Sequence, residues 1–168
     1  MLQKNQIIIE SAQNKDFDDI VRIFKQVISG GDTYVNRADT SAQEMHDKWF
    51  DKNAKTFVAK IAGEILGAYL IRPNQVDRGS HIANCSYIVD AKSRGQGVGK
   101  ALGEHSIRIA KQLNYRAIQF NFVVSTNKAA VKLWQSLGFE IIGTVPEGFK
   151  HNELGYVDAY IMYRKISG

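Results

Sequence analysis

Arg94-Gly95-Gln96-Gly97-Val98-Gly99-Lys100 joins two stretches of different periodicity, and that junction decides the fold. Upstream, His81-Ile82-Ala83-Asn84-Cys85-Ser86-Tyr87-Ile88-Val89 is rich in β-branched and aromatic residues and reads as a buried strand. Downstream, Val98, Leu102, His105, Ile109 and Leu113 recur at helical spacing, so a helix starts within the loop. A strand that runs through closely spaced glycines into a helix presents bare backbone N–H groups at a positive helix end. Such a nest binds anions, phosphates above all. The loop is therefore expected to hold the pyrophosphate of a cofactor.

Two familiar nucleotide loops fail on spacing. A P-loop needs G-x-x-x-x-G-K-[ST]; here Arg94 stands at the first glycine and Ala101 at the hydroxyl that would hold Mg²⁺. The dinucleotide fingerprint needs G-x-G-x-x-G, whereas the third glycine, Gly99, falls one residue early.

Working outward, Ile7 to Ala12 reads as a first strand, followed by a helix with Phe17, Ile20, Val21, Phe24 and Ile28 on one stripe. Asn14 or Asp16 is its candidate cap, and Gly30-Gly31 ends it. A loop carrying Tyr34 leads to Ser41-Ala42-Gln43-Glu44, a capping box for a short helix through Trp49 and Phe50. Thr56 to Ala62 and Ile65 to Ile71 form a hairpin about Ala62-Gly63-Glu64, and Asn114 stops the helix after the glycine loop. In the strand Ala117 to Val124, alternation puts Ile118, Phe120, Phe122 and Val124 on one face and Gln119, Asn121 and Val123 on the other. Thr126 or Asn127 then caps a helix buried through Ala130, Leu133, Trp134 and Leu137, with Gly138 beyond its end. Phe139 to Gly143 and Tyr156 to Ile166 read as closing strands around a loop with Pro146 and Gly148. This order predicts a single domain over residues 1–168, of α/β (α+β) class: a mixed central sheet of about seven strands with about four helices on both faces.

The loop has the form R-G-x-G-[VI]-G, which resembles the acetyl-CoA loop of the GCN5-related N-acetyltransferase (GNAT) superfamily. A second stretch agrees: Asn127 to Ala130, Leu133-Trp134 and Leu137-Gly138-Phe139 resemble that family's N-x-x-A-x-x-L-[YW]-x-x-x-G-F. Phe120 to Asn127 and Trp134 are also similar to a branch of the family that acetylates proline analogues such as azetidine-2-carboxylate. The resemblance implies that acetyl-CoA is the cofactor. The backbone of Gly95, Gln96, Gly97, Val98, Gly99 and Lys100 would cradle its pyrophosphate, with Arg94 and Lys100 adding charge. Ile88 and Val89 would offer backbone groups to the pantetheine arm, Asn127 its amide, and Trp134 would flank the thiol.

The implied reaction is direct acetyl transfer within a ternary complex to the amine of a small molecule or an amino-acid-like substrate. Many family members place an acidic tyrosine where this chain has Trp134, and an indole N–H cannot yield a proton near neutral pH. Asn121 is the catalytic candidate, orienting the substrate or the carbonyl; the alternative is an asparagine bonded within the sheet. Tyr34 and Tyr87 are candidate substrate contacts, and a water chain, Tyr87 or Glu153 the candidate base. An acyl-CoA-binding module without activity and a protein or N-terminal acetyltransferase stand as alternatives. His105 and Cys85 are expected to be core residues.

At 168 residues, 44% hydrophobic and 23% charged, the chain is ordinary for a soluble globular protein. Its net charge of +5 and pI near 9.3 suit an anionic ligand. Aromatic residues do not interleave with Arg108, Lys111 and Arg116, which argues against nucleic acid. No metal cluster and no membrane span are expected, and Met1 to Gln6 does not lead into a signal peptide. A lone cysteine suits a reducing cytoplasm, and the half-exposed last strand suits a homodimer contact.

Overall fold

The computed structural model describes residues 6–166; the N-terminal reading of Met1 to Asn5 lies outside the described residues. Seven strands form one sheet: β1 (Ile7–Ser11), β2 (Lys55–Ile61), β3 (Glu64–Pro73), β4 (Ile82–Val89), β5 (Ala117–Val124), β6 (Glu140–His151) and β7 (Gly155–Lys165). Their order across it is β1-β2-β3-β4-β5-β7-β6, antiparallel throughout except for β4 beside β5. Four helices cover it: α1 (Phe17–Ser29), α2 (Ala42–Trp49), α3 (Val98–Gln112) and α4 (Lys128–Ser136).

The two faces carry separate cores. Tyr69, Leu102, Ile118, Phe120, Trp134 and Met162 pack on the α3–α4 face. Ile20, Ile23, Phe24, Trp49, Leu70 and Ile88 pack on the α1–α2 face. Cys85 is a buried free thiol. Local signals are met by local chemistry. Ser41 Oγ accepts from Glu44 N–H (3.2 Å) and Glu44 Oε2 from Ser41 N–H (2.7 Å), the reciprocal capping box that starts α2. Of the two candidate caps for α4, Asn127 is the one used: its Oδ1 accepts from Ala130 N–H (3.2 Å). Asp16 stands at the N-cap position of α1, yet its carboxylate accepts from Gln13 N–H rather than from the helix.

Gly67 places the glycine loop. A Cβ there would lie 2.8 Å from Val98 Cγ1 and 3.0 Å from Leu102 Cδ1, so only glycine lets the first turn of α3 rest directly on β3.

Two expectations are corrected. The chain does not leave the sheet at Gly143; β6 continues through Pro146 and Gly148 to His151. A rim strand tolerates a residue without an N–H, and register shifts between Ile141 and Gly143 and between Val145 and Phe149 absorb the irregularity. Glu147 N–H, freed at the second shift, donates to Asp158 Oδ1 (2.9 Å). In β5, the register against β7 slips between Phe120 and Val123, an extra residue in the strand. Val123 therefore returns to the cluster holding Ile118 and Phe120, and Asn121 and Phe122 fall together between core-facing positions. The alternation expected for Phe122 and Val123 breaks at the place where the site is built.

Candidate active site

β4 and β5 are paired only at Ile82↔Ala117 and Ala83↔Ile118, then part. Ile88 is in register with Ala68 of β3, and Asp90 N–H donates to Leu66 O (2.8 Å), so even-numbered residues of β4 turn their backbone groups towards β3. Odd-numbered residues face the gap. Tyr87 O confirms the direction by accepting from Tyr34 Oη (2.7 Å). Of the two expected backbone donors, Val89 opens to the gap. Ile88 does not: it is hydrogen-bonded into the β3 ladder and its side chain is buried on the α1–α2 face.

Past β4 the glycine loop bends into α3. Gly95 (φ 77°) and Gly97 (φ 80°) are left-handed with open space where a Cβ would stand, whereas Gly99 lies in the helix against Leu133 and Val89. The N–H groups of Gly95, Gly97, Val98, Gly99 and Lys100 have no acceptor among the described residues, while Gln96 N–H is used by Ser93 O. Val98 is buried against Gly67, so it can contribute backbone alone. Arg94 and Lys100 are exposed beside this nest. Its base is tied down. Asp90, 1% exposed, accepts from Arg22 Nη1 of α1 (2.5 Å) and from Lys92 N–H (3.0 Å). Burial opposes ionisation of Asp90, but these bonds outweigh it and hold its carboxyl below the usual range. Unfilled N–H groups, room for close approach and two flanking cations fit a pyrophosphate.

On the α3–α4 side, the gap is backed by aromatic rings. Trp134 lies 4.6 Å from Tyr87 and 4.8 Å from Phe120, centroid to centroid. Tyr87 is thereby removed from the roles expected of it. Its side chain turns into the α3–α4 core, bonds Ser106 Oγ (2.7 Å), and its pKa is raised by burial among like neighbours. It can neither touch an acceptor on the other face nor act as a base near neutrality. His105 is a satisfied core histidine, bonded to Tyr69 Oη (2.7 Å), with its pKa lowered by burial and by Arg108. Asn127 spends its oxygen on the α4 cap, so only its amide N–H groups remain for a ligand.

On the α1–α2 side, a polar row crosses three strands. Arg72 of β3 is in register with Asn84 of β4. Asn84 Nδ2 donates to Gln119 O (2.9 Å), spanning the place where backbone pairing stops. Asn121 is exposed; its Oδ1 accepts from Gln119 Nε2 (3.0 Å) and its Nδ2 donates to Asn74 Oδ1 (2.7 Å). Asn121 thus sits in a chain of amides at the apex of the gap. Above the row lie Tyr34, whose pKa is raised by burial, and Lys48 of α2. A cleft of about 560 Å³ runs past Tyr34 between residues 28–39 and β6, lined by Asn36, Arg37, Phe149 and Lys150. Asn36 Oδ1 is buried without a partner. A smaller cleft of about 270 Å³ joins Asp32, Asn127 and His151. Glu153 is exposed in the β6–β7 turn, its N–H bonded to His151 Nδ1 (3.0 Å).

Sequence reasoning missed Lys48, Arg72, Asn74 and Asn84. Asn84 and Ser86 had a readable signal: polar residues at alternate positions of an otherwise buried strand. Lys48 had none, being one charge among several on a short amphipathic helix. Among the described residues, no group of His, Cys, Asp and Glu could hold a metal ion, and no helix is long and apolar enough to cross a membrane.

The model of the acetyltransferase (GNAT) family matches residues 22–139. The L-amino acid N-acetyltransferase AaaT of Escherichia coli is 30% identical over 167 residues, 95% of this chain and 98% of its own. The N-acetyltransferase aca1 of Schizosaccharomyces pombe is 36% identical over 98 residues, 58% of this chain; the match spans 47% of that relative, less than half its length. A GCN5-related N-acetyltransferase from Kribbella flavida superposes with a TM-score of 0.91 at 40% identity, covering 95% of this chain and 97% of that one.

Proposed function

This chain belongs to the GNAT family of acetyltransferases, and we propose that its acceptor is a small amine of the amino-acid type, bound on the α1–α2 side of the gap. The reaction is acetyl-CoA-dependent N-acetylation. The observation that carries the proposal is the pairing of an anion nest at one side of the parted strands with a row of amides and a walled cleft at the other. The E. coli relative, matched over nearly its whole length, is named for L-amino acids.

Acetyl-CoA supplies a thioester carbon open to attack by an amine. The residues around it have separable tasks. N–H groups of Gly95, Gly97, Val98, Gly99 and Lys100 would hold the pyrophosphate, with Arg94 and Lys100 supplying charge. Val89 would offer its backbone to the pantetheine amides, and the free amide N–H groups of Asn127 would face the same arm. Trp134 and Tyr87 exclude water from the α3–α4 side of the gap. Asn121 has one N–H and one lone pair beyond its bonds to Asn74 and Gln119, enough to orient the acceptor. Asn36 Oδ1, a buried acceptor without a donor among the described residues, would be relieved of a cost of about 1–3 kcal/mol by a donor on the acceptor other than the reacting amine. With Tyr87 turned away, the proton lost by the amine would pass to solvent; with Trp134 in place of a phenol, the CoA thiolate released as the C–S bond breaks would take its proton from solvent too.

A small acceptor is favoured over a peptide by one bond. Asn152 N–H donates to Gly31 O (3.1 Å), joining the two walls of the cleft, which suits a small acceptor better than an extended chain. The absence of an acid at Trp134 favours a second reading, a module that binds acyl-CoA without turning it over. A thiol-release assay with acetyl-CoA and a panel of small amines separates them. Turnover establishes the enzyme, binding without turnover the module, and no CoA binding by calorimetry sinks both. A cytoplasmic setting, consistent with the free buried Cys85, belongs to the same proposal. So does a homodimer through the outer side of β6, where Ile141, Ile142 and Val145 are exposed; sedimentation tests it.

A further inference from the structure

Among the described residues, Lys48 is a cation without an anion. Its Nζ stands 5.1 Å from the centroid of Tyr34 and 5.4 Å from that of Phe24, half-buried against α1 and the loop that follows it. Neither Lys48 nor Arg72 forms an ion pair among the described residues. The acids nearest in sequence are spent elsewhere: Glu44 accepts from Ser41 N–H, Asp47 from Gln43 Nε2 (2.7 Å) and Asp51 from Asn53 N–H (2.7 Å). His46 stacks on Phe50 and meets the edge of Phe17. Burial, and then the charge of a second cation, Arg72 of the sheet, push the pKa of Lys48 down to about 8.

Two like charges that feel one another, one of them standing over Tyr34 at the wall of the cleft and neither in an ion pair among the described residues, raise the free energy of the empty protein, and an anion relieves it. Their position says which part of the ligand that anion is. Arg72 is in register with Asn84, which spans the apex of the gap and lies one strand from Asn121. Tyr34, under Lys48, bonds the gap-facing carbonyl of Tyr87. The cationic pole therefore lies on the face where the acceptor would bind, to one side of the amide row.

We propose that Lys48, together with Arg72, reads the carboxylate of the acceptor, making Lys48 a specificity-determining residue for amino acids over neutral amines. The inference rests on the acetyl-transfer reading and names what its acceptor side selects. The carboxylate would lie between the ammonium and the guanidinium while the amine points along Asn84 and Asn121 towards the gap. Lys48 touches the part of the acceptor that does not react, so its loss should raise KM more than it lowers kcat.

The test compares L-amino acids with their carboxamides, which keep shape and amine but lose the charge. Wild type should favour the acids by roughly tenfold or more in kcat/KM, the scale of one charged hydrogen bond. Lys48→Met should remove most of that preference through KM, Lys48→Arg should retain it, and both should bind CoA as wild type does. Arg72→Met provides an independent variant with the same expected direction. Turnover with no preference for acids in wild type, or a preference untouched in Lys48→Met, overturns the inference and leaves the transfer reading standing. Calorimetry on CoA-loaded protein separates the reverse case. Tighter binding of acids than amides, lost in Lys48→Met and without turnover of either, upholds the inference and overturns the transfer reading.

Discussion

Around the gap between β4 and β5, the phosphate loop and the acceptor cleft are built in opposite ways. The loop is contiguous, residues 94–100, and works through backbone N–H groups that any residue owns but few conformations expose. The acceptor side works through side chains brought from distant segments: the polar row on β3, β4 and β5, Lys48 of α2, and cleft walls at residues 28–39 and on β6. A backbone site constrains sequence by conformation, so it leaves glycines at fixed spacing. A side-chain site constrains only which atoms arrive at a point in space.

The contrast predicts that the largest single effect comes from a residue with no side chain. Gly97→Val forces a β-branched residue to φ 80° and fills the space in front of the nest. CoA affinity should fall at least about a hundredfold, the loss of one or two charged backbone bonds, with the circular dichroism unchanged. Undiminished affinity would break the donor half of the comparison. On the acceptor half, Asn121→Ala should lower kcat about tenfold with CoA affinity retained. Unchanged kinetics would reduce Asn121 to a strut between Asn74 and Gln119.

Acidity gives a smaller and signed effect. Lys48 is held down to about 8 by burial and Arg72, so it is charged below that value and neutral above it. KM for an acidic acceptor should therefore rise several-fold, roughly between pH 7 and 9, while that for the carboxamide stays level. Smallest of all, Lys100→Gln should weaken CoA binding only a few-fold, and less at high salt, since Lys100 is exposed. A larger loss would move the donor site from backbone towards side chains.

The same contrast explains what could be read beforehand. The loop, α3, the Asn127 cap and the Ser41 box were legible because each is a short-range agreement between residues and backbone geometry. Pairings such as Arg72↔Asn84 were not, since they depend on register between distant segments. Tyr87 misled for a related reason. Its place beside the gap follows from the strand, but which face it takes is settled by Ser106 and Trp134, far along the chain. The bulge at Asn121 and Phe122 carries no glycine or proline to announce it; β7 imposes it. β6 failed the other way, since Pro146 and Gly148 signal a break that a rim position does not require.

Parted strands also give this molecule an edge in its interior. Sheets ordinarily confine unpaired N–H and C=O groups to their rims, where exchange with solvent is fast. Here Tyr87 N–H and the N–H and C=O of Val89 are such groups on the fourth of seven strands, flanked by helices on both faces. Deuterium should enter the backbone amides of Tyr87 and Val89 sooner than that of Ile88 between them, which is locked into β3. In the presence of CoA that two-residue rhythm should fade, because the ligand would stand where a strand is missing.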